Sequence, residues 1–263
     1  MRGVGRRLRS VTSAWLAAAS HAASAAALAV LLVSPGSARG ASAQTFTVVR
    51  VDTATADLRL FWRDAAGAPY RRLDRLAGAL ANAGSALQFG MNAGMYEADG
   101  APVGLLVIDG VQKAPLKLAD GAGNFFLKPN GVFLIGPAGP RVVDAADYAS
   151  QAPGVRFATQ SGPLLLKAGR IHPALRAEST SRLVRNGVCV SGRTVLFAMS
   201  DEPVNFHEFA LYFRDVLHCR DALYLDGVVS SLYAPSLGRR DAGVDLGPMF
   251  GVVGPGAAAS SAR

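Results

Sequence analysis

Charged residues are scarce in this chain of 263 residues, since Asp, Glu, Lys and Arg make up only 17% of it. That low fraction, together with 29 glycines, excludes a coiled coil and a chain kept disordered by charge repulsion. No segment repeats at a fixed period, which excludes a solenoid of stacked repeats. Half of the residues are hydrophobic, enough for the core of one large domain or two small ones.

Long basic runs are also missing. The formal net charge of +8 would by itself favour a nucleic-acid partner. However, five of the 27 basic residues lie within residues 1–43, which contain no acid, and the remainder has 22 basic against 19 acidic residues. No stretch of that remainder is a Lys/Arg run able to follow a phosphate backbone. We therefore predict no nucleic-acid partner.

Several motifs of known chemistry are incomplete. A zinc-binding helix starting at His207-Glu208 lacks its second histidine, because position 211 is Leu. A dinucleotide-binding loop starting at Gly121 has Phe126 in place of its last glycine. The three histidines beyond residue 43 are scattered singly, so a His-dependent catalytic triad is not favoured. We predict neither a metal nor a cofactor.

The first 43 residues have the three parts of a secretory signal peptide. Four arginines between Arg2 and Arg9 precede an Ala/Leu/Val-rich stretch that ends at Val33, and Ala41-Ser42-Ala43 offers small residues for cleavage. We predict removal of residues 1–43 and a bacterial protein exported to the periplasm or secreted. An uncleaved membrane anchor is the alternative. No second apolar run of spanning length follows, so no transmembrane segment is expected after cleavage.

Cysteine is almost absent, with Cys189 and Cys219 as the only two. An oxidising compartment would permit a disulfide between them. Cys189 also lies in an apolar run, which is typical of a small buried residue. A separation of 30 residues does not show whether their Cα atoms come within bridging range, so both readings stay open at this point.

Short apolar runs dominate the rest of the chain and predict strands. They cover residues 46–51, 58–62, 104–108, 131–135, 163–166, 187–190, 194–199 and 222–225. Helices are predicted over 71–82 and from Asn205, where Glu208 completes a capping box. The second helix carries a stripe of Phe206, Phe209, Ala210, Phe213, Val216 and Leu217, typical of core packing. This favours an α+β fold, a single domain of mixed β-sheets with a few flanking helices over residues 44–253, followed by a flexible tail, 254–263.

Four segments place polar residues and glycines where predicted strands end. They cover residues 91–96, 159–163, 181–187 and 225–231. In the last, Asp226 directly follows an apolar strand and precedes Gly227, which puts a carboxylate at a strand mouth where backbone can approach a ligand. Any one of these segments alone is more typical of an ordinary turn; their order is the informative feature.

In that order the segments resemble the phosphodiester glycosidase family, over roughly residues 88–253. The matching motifs are Asn92-Ala93-Gly94-Met95-Tyr96, Pro102-Val103-Gly104, Ser161-Gly162-Pro163, Ser181-Arg182 and Asp226 to Ser231. The residues in these motifs are most similar to a bacterial exported branch of the family. The resemblance implies the family's fold and hydrolysis of the glycosidic bond of a sugar-1-phosphodiester, with a glycan or glycolipid as substrate. The oligomeric state stays open.

The resemblance also implies roles for individual residues. Arg182 would bind the phosphate through its guanidinium, and Asp226 would attack the anomeric carbon or activate water towards it. Asn92 and Ser161 would hydrogen-bond the substrate, and Ser230 would orient Asp226. Two departures from the family pattern stand out: Val228-Val229 replaces a glycine run, and Ala93 replaces a glycine.

The sequence is also compatible with two other functions. The first is a non-catalytic module that binds carbohydrate or envelope material on the same scaffold, favoured by Val228-Val229. The second is a hydrolase with Ser161 as nucleophile, for which no base is evident. Glu97 and Asp99 are potential second carboxylates, although Glu-Ala-Asp-Gly is typical of a solvated turn.

Overall fold

The structure, a computed structural model, describes residues 45–227 and 229–256. The predicted signal peptide, Val228 and residues 257–263 of the predicted tail lie outside the described residues. The described residues belong to one compact unit. None of their helices is both long and apolar enough to span a bilayer.

Strands account for most of the regular structure. They are β1 (Phe46–Asp52), β2 (Asp57–Phe61), β3 (Ser85–Asn92), β4 (Leu106–Ile108), β5 (Val111–Ala114), β6 (Gly131–Gly136), β7 (Gly139–Asp144), β8 (Phe157–Ser161), β9 (Leu164–Lys167), β10 (Arg170–Ile171), β11 (Asn186–Ser191), β12 (Thr194–Ser200), β13 (Ala222–Asp226), β14 (Leu232–Ala234), β15 (Arg239–Arg240) and β16 (Met249–Pro255). The helices are α1 (Leu73–Asn82) and α2 (Phe206–Leu211). Short 3₁₀ turns span Asn124–Phe126, Ala145–Ser150 and Pro235–Leu237. The predicted α+β class, with many strands and few helices, is confirmed.

The strands form three sheets, and every pairing among the described strands is antiparallel. The first sheet has the order β1-β12-β11-β13-β9-β10, the second β15-β14-β3-β16-β2 and the third β5-β4-β8-β6-β7. Strand β13 is flanked by β11 and β9, so both of its edges are paired. Its terminal Asp226 is therefore delivered by an interior strand of the first sheet.

An aromatic cluster joins the three sheets. Phe197 of the first sheet lies 4.8 Å from Phe89 and 4.9 Å from Phe250 of the second, between ring centroids. Phe133 of the third sheet meets Phe250 edge-on at 5.2 Å. All four rings are at most 3% exposed, and such tilted and edge-on contacts add to the stabilisation from apolar burial. The core thus fixes the three sheets against one another.

Helix α2 begins with the predicted capping box. The Asn205 side chain accepts from the Glu208 N–H at 2.9 Å, and the Glu208 carboxylate accepts from the Asn205 N–H at 3.0 Å. The chain then continues as a π-helical turn, Tyr212–Val216, with Leu217 N–H donating to the Tyr212 carbonyl at 3.1 Å. Because this turn changes the 3.6-residue period, Val216 is 57% exposed, not on the buried face as its spacing predicted.

Cys189 and Cys219 form a disulfide, which resolves the alternatives that the sequence left open. Both are nearly inaccessible. The bridge ties β11 to the residues just before β13, two neighbouring strands of the first sheet. Strand β11 begins, and strand β13 ends, near the site described next.

Candidate active site

A cavity of about 440 Å³ opens where β13 ends. Two chain segments supply most of its wall: the turn after β3, from Met95 to Ala98, and a loop from Ala122 to Phe126. Asp226 and Val229 complete the lining, together with Val103. Glu97 and Asp226 are the charged residues on this wall within the described chain, so the cavity is acidic.

Asp226 reaches the cavity because β13 carries it there. The preceding residues Ala222–Leu225 are apolar and essentially inaccessible, while Asp226 is 9% exposed. Its Oδ1 accepts from the Gly227 N–H at 2.6 Å. A Cβ at position 227 would lie 2.1 Å from the Tyr224 hydroxyl, so only glycine permits the chain to turn this closely after the carboxylate.

Ser161 joins the end of β8 to the end of β13. Its buried hydroxyl donates to the Leu225 carbonyl at 2.9 Å, one residue before Asp226. The neighbouring Thr159 hydroxyl donates to the Ala93 carbonyl at 2.7 Å. Strand β8 therefore holds together the two segments, after β3 and at the end of β13, that carry the predicted site residues.

A chain of amides connects Asn92 to Ser230. Asn92 Nδ2 donates to Asn186 Oδ1 at 3.2 Å, and Asn186 Nδ2 donates to the Ser230 hydroxyl at 2.8 Å. Asn92 Oδ1 accepts from the Ser231 N–H at 3.3 Å. In the sheet, Asn186 lies opposite Asp226. The structure thus brings Asn92, Ser230 and Asp226 together through Asn186, which was not singled out from the sequence.

Arg182 lies elsewhere, on the protein surface. Its guanidinium donates to the Glu208 carboxylate at 2.9 Å, and its side chain is 43% exposed. It is not among the residues that line the cavity. Asn92, Ser161 and Ser230 are also absent from that lining, so these three support the cavity from behind.

Arg185 lies beside the turn after Asp226. It is fully buried, and it donates to the Val204 carbonyl at 2.8 Å, the Ser181 carbonyl at 2.9 Å and the Tyr224 hydroxyl at 3.3 Å. A Cβ on Gly227 would lie 3.4 Å from its Nη1.

The surroundings of Arg185 also shift its titration. Its guanidinium carbon lies 3.7 Å from the Phe206 ring centroid, a cation–π contact. Burial lowers the pKa of Arg185. The signal for Arg185 in the sequence is its position directly before Asn186-Gly187 and an apolar strand; the family pattern instead predicts Arg182, three residues earlier.

Glu97 and Asp99 differ in their surroundings. Glu97 lines the same cavity as Asp226. The Asp99 side chain instead accepts from the Ala101 N–H at 2.9 Å within the turn, as the solvated-turn reading predicted. Only Glu97 of the two is placed to meet a ligand in this cavity.

Tyr96 forms another part of the wall. Burial, reinforced by the negative charges of Asp226 and Asp245, raises the pKa of Tyr96 to about 12. Its hydroxyl donates to the Asp245 carbonyl at 2.5 Å. The phenol is therefore neutral at physiological pH and is held in a fixed position.

Gln160 fixes the loop that forms the opposite wall. Its Oε1 accepts from the N–H groups of Lys117 at 3.0 Å and Leu105 at 3.1 Å, and its Nε2 donates to the Lys117 carbonyl at 2.7 Å. Gln160 is 1% exposed. Further along this loop Phe125 and Phe126 pack edge-on, with ring centroids 5.1 Å apart. The wall is thus connected by one side chain to the strand that carries Ser161.

Within the described part of the chain, no three His, Cys, Asp or Glu side chains gather closely enough to hold a metal ion. The chemistry that the site offers from its own residues is that of a carboxylate at a cavity wall, backed by buried amides and hydroxyls. Such a constellation suits attack on an anomeric carbon.

Comparison with known proteins gives a family and a fold. A family model described as phosphodiester glycosidase matches residues 85–245. The uncharacterised protein YigE of Escherichia coli K12 is 35% identical over 191 residues, which cover 72% of this chain and 74% of YigE.

Solved structures show the same fold at low identity. The catalytic domain of zebrafish N-acetylglucosamine-1-phosphodiester alpha-N-acetylglucosaminidase, auto-inhibited by its pro-peptide, superposes with a TM-score of 0.54 at 12% identity, covering 80% of this chain and 82% of that domain. A hypothetical protein from Synechocystis gives 0.53 at 14% identity, covering 82% of this chain and 60% of the other.

Proposed function

Because this chain belongs to the phosphodiester glycosidase family, we propose that it is an exported hydrolase that cleaves the glycosidic bond of a sugar-1-phosphodiester. A glycosidase-type function and a glycan-type substrate follow from the family itself. The more specific proposal concerns the bond, the residues and the compartment. The observation that carries it is Asp226, which stands on the wall of a cavity at the end of a fully paired strand.

The leaving group determines what the site must supply. When the C1–O bond of a sugar-1-phosphodiester breaks, the leaving group is a phosphate monoester, a stable anion that takes the electrons of that bond and needs little protonation. Asp226 either attacks C1 itself or removes a proton from the water that does. In both routes the sugar gains a hydroxyl from water, and the remainder of the phosphodiester is released as a phosphate monoester. A carboxylate close to C1 also stabilises the positive charge that develops there.

The buried network would keep Asp226 in position for this step. Asn186 lies opposite it in the sheet and is fixed at both ends by Asn92 and Ser230. Ser161 holds the adjacent Leu225 carbonyl. Preorganised groups of this kind lower the cost of orienting the nucleophile in the transition state.

Two arginines are candidates for stabilising the phosphate charge. Arg182 is exposed but does not line the cavity, so it can bind the phosphate, with which guanidinium forms forked hydrogen bonds, only if its side chain leaves Glu208 and turns towards the substrate. Arg185 is buried next to Gly227 and would act on the site through its charge and through Tyr224. We assign phosphate binding to Arg182, with Arg185 as the positioning residue behind Asp226.

Export is supported by two features of the chain. Residues 1–43 have the composition of a signal peptide. The Cys189–Cys219 disulfide is typical of proteins that fold in an oxidising compartment such as the periplasm. Fractionation of cells producing the tagged protein tests this: the mature form is expected outside the cytoplasm, shortened by about 43 residues.

One observation favours a second function, a non-catalytic glycan-binding module. Val229 lines the cavity at a position where the family pattern has glycine, so an apolar side chain occupies space next to Asp226. In that case the protein binds glycans without turning them over.

A panel of glycosyl-1-phosphodiesters separates these functions. We expect the wild-type protein to release the free sugar and Asp226→Asn to lose turnover while keeping its fold. Binding of glycans without any turnover would support the module instead. Turnover that survives Asp226→Asn but is abolished by Ser161→Ala would make Ser161 the nucleophile and contradict the proposal.

A further inference from the structure

A second cavity, of about 570 Å³, lies at the turn between β9 and β10. Among the residues that the structure describes, it shares no lining residue with the cavity at Asp226. Lys167, Arg170 and Arg220 are on its wall, and no Asp or Glu is among its described lining residues. We call it the basic cavity.

The backbone holds the arginines on one rim. Ala168 adopts a left-handed conformation with φ of 52°, which is uncommon outside glycine. Its N–H donates to Asp221 Oδ1 at 2.8 Å, and the Gly169 N–H donates to the Arg220 carbonyl at 2.6 Å. These bonds fasten the β9–β10 turn to the segment that follows Cys219, and so place Arg170 beside Arg220.

The three cations of the basic cavity differ in whether they form an ion pair. The Lys167 ammonium donates to the Asp144 carboxylate at 2.7 Å, and this contact raises the pKa of Lys167. Within residues 45–227 and 229–256, neither Arg170 nor Arg220 forms an ion pair, and both are exposed. Two guanidinium groups are therefore free to bind an anion.

The floor of the basic cavity is apolar, with Leu164 and Ile171 beside the His172 ring. His172 Nδ1 accepts from the Ala174 N–H at 3.1 Å, so the ring proton is on Nε2. Nε2 is buried and has no hydrogen-bond partner of normal geometry among the described residues, although the Lys128 backbone lies near enough to act on the ring. Because the His172 ring is neutral, the positive charge of the basic cavity comes from the side chains on its rim.

From this geometry we propose that the basic cavity is a binding site for a phosphate-bearing ligand, through Arg170 and Arg220. Guanidinium groups form paired, charge-assisted hydrogen bonds with phosphate oxygens, and an apolar floor accommodates the carbon skeleton that carries the phosphate. The proposal is independent of turnover at Asp226. A soluble phosphate ester and a phospholipid headgroup share this chemistry.

Calorimetric titration of the purified protein at low salt tests the proposal, with glycerol 3-phosphate as the soluble probe. In a parallel arm, the protein is sedimented with vesicles of one part phosphatidylglycerol to three parts phosphatidylcholine. Arg170→Gln and Arg220→Gln are each expected to weaken binding about tenfold, and the double variant to abolish it. Arg75→Gln is the matched control, because Arg75 is an exposed arginine on α1 without a described ion pair.

The outcomes are distinct. Binding of glycerol 3-phosphate that the double variant loses supports a site for soluble esters; binding confined to vesicles supports a headgroup site. Absence of binding in both arms would overturn the proposal, as would a double variant that binds like the wild type. A loss in Arg75→Gln equal to that in Arg170→Gln would show unspecific charge attraction and would equally contradict it.

Discussion

The two cavities have opposite charge and are built in opposite ways. The cavity at Asp226 presents carboxylates, and the groups behind it are buried and joined by hydrogen bonds: Asn92, Asn186 and Ser161. The basic cavity presents two exposed arginines, Arg170 on the β9–β10 hairpin and Arg220 just before β13. Buried polar networks are rigid because each unpaired member is costly, whereas exposed side chains adapt. The first arrangement suits chemistry at a fixed carbon, and the second suits reversible binding of an anion.

The sharpest test of this contrast is activity. We expect Asp226→Asn to lower kcat by about 10²–10⁴-fold, the usual effect of removing a catalytic base or nucleophile, while Arg170→Gln with Arg220→Gln leaves turnover within about twofold. Sugar release from the best substrate of the panel measures both. Equal losses of kcat in the two variants would show that the two cavities act as one functional site and would contradict the contrast.

The free energy of unfolding should depend strongly on the buried Arg185 and little on the exposed Arg182. Arg185→Ala removes the guanidinium donor from the Tyr224 hydroxyl and the Ser181 carbonyl. The Val204 carbonyl loses one of its two donors and keeps the Leu183 N–H. The variant also opens a void, so we expect a loss of roughly 3–5 kcal/mol in the free energy of unfolding. Arg182→Ala removes a surface ion pair and should change it by less than about 0.5 kcal/mol. Urea denaturation gives both numbers, and similar midpoints would refute the distinction.

The disulfide tests whether the two regions depend on each other. Cys219 directly precedes Arg220 of the basic cavity, and Cys189 lies on β11, three residues after Asn186. Replacing both cysteines by serine should lower the free energy of unfolding by about 2–4 kcal/mol, because the bridge closes a loop of 30 residues. The wild type under reducing conditions is the matched comparison. A variant that retains the wild-type urea midpoint would show that the bridge contributes little.

The smallest expected effect concerns pH. Burial lowers the pKa of His172 below its ordinary value of 6.5, so the unfolded chain binds a proton more readily than the folded one. The stability associated with the neutral ring is complete above pH 6.5 and is lost as the pH falls below it. His172→Asn keeps an acceptor for the Ala174 N–H and should make unfolding less dependent on pH below 6.5. Parallel curves for both proteins would contradict this.

Sequence reasoning located elements with strong local signals. The alternation of β1 and β2 and the capping box of α2 are of this kind, and the structure has them within a residue or two. Strand β3 and strand β16, the latter with Gly251, Gly254 and Pro255, lack such alternation. Their pairing with each other in the second sheet is a long-range contact that no local pattern reports.

The candidate site shows the same division. A carboxylate after an apolar strand is a local feature, so Asp226 could be selected from the sequence. Arg182 and Arg185 are three residues apart in similar company, and which of them turns inward depends on Tyr224, Val204 and Phe206, residues 19 to 39 positions away. Tertiary packing decided that point, and the amide chain through Asn186 likewise required β3, β11 and the segment between β13 and β14 to meet.

At the wall of the Asp226 cavity, the side chain of Gln160 makes the hydrogen bonds that a neighbouring strand would otherwise make. Gln160 offers Lys117 a donor and an acceptor, the pair that a neighbouring backbone would supply. Exchanging its amide nitrogen for oxygen, as in Gln160→Glu, would set a carboxylate oxygen against a carbonyl and turn attraction into repulsion. The position of this wall therefore depends on whether one side-chain atom of residue 160 is nitrogen or oxygen. A substitution that leaves the side-chain volume unchanged can alter the shape of the cavity.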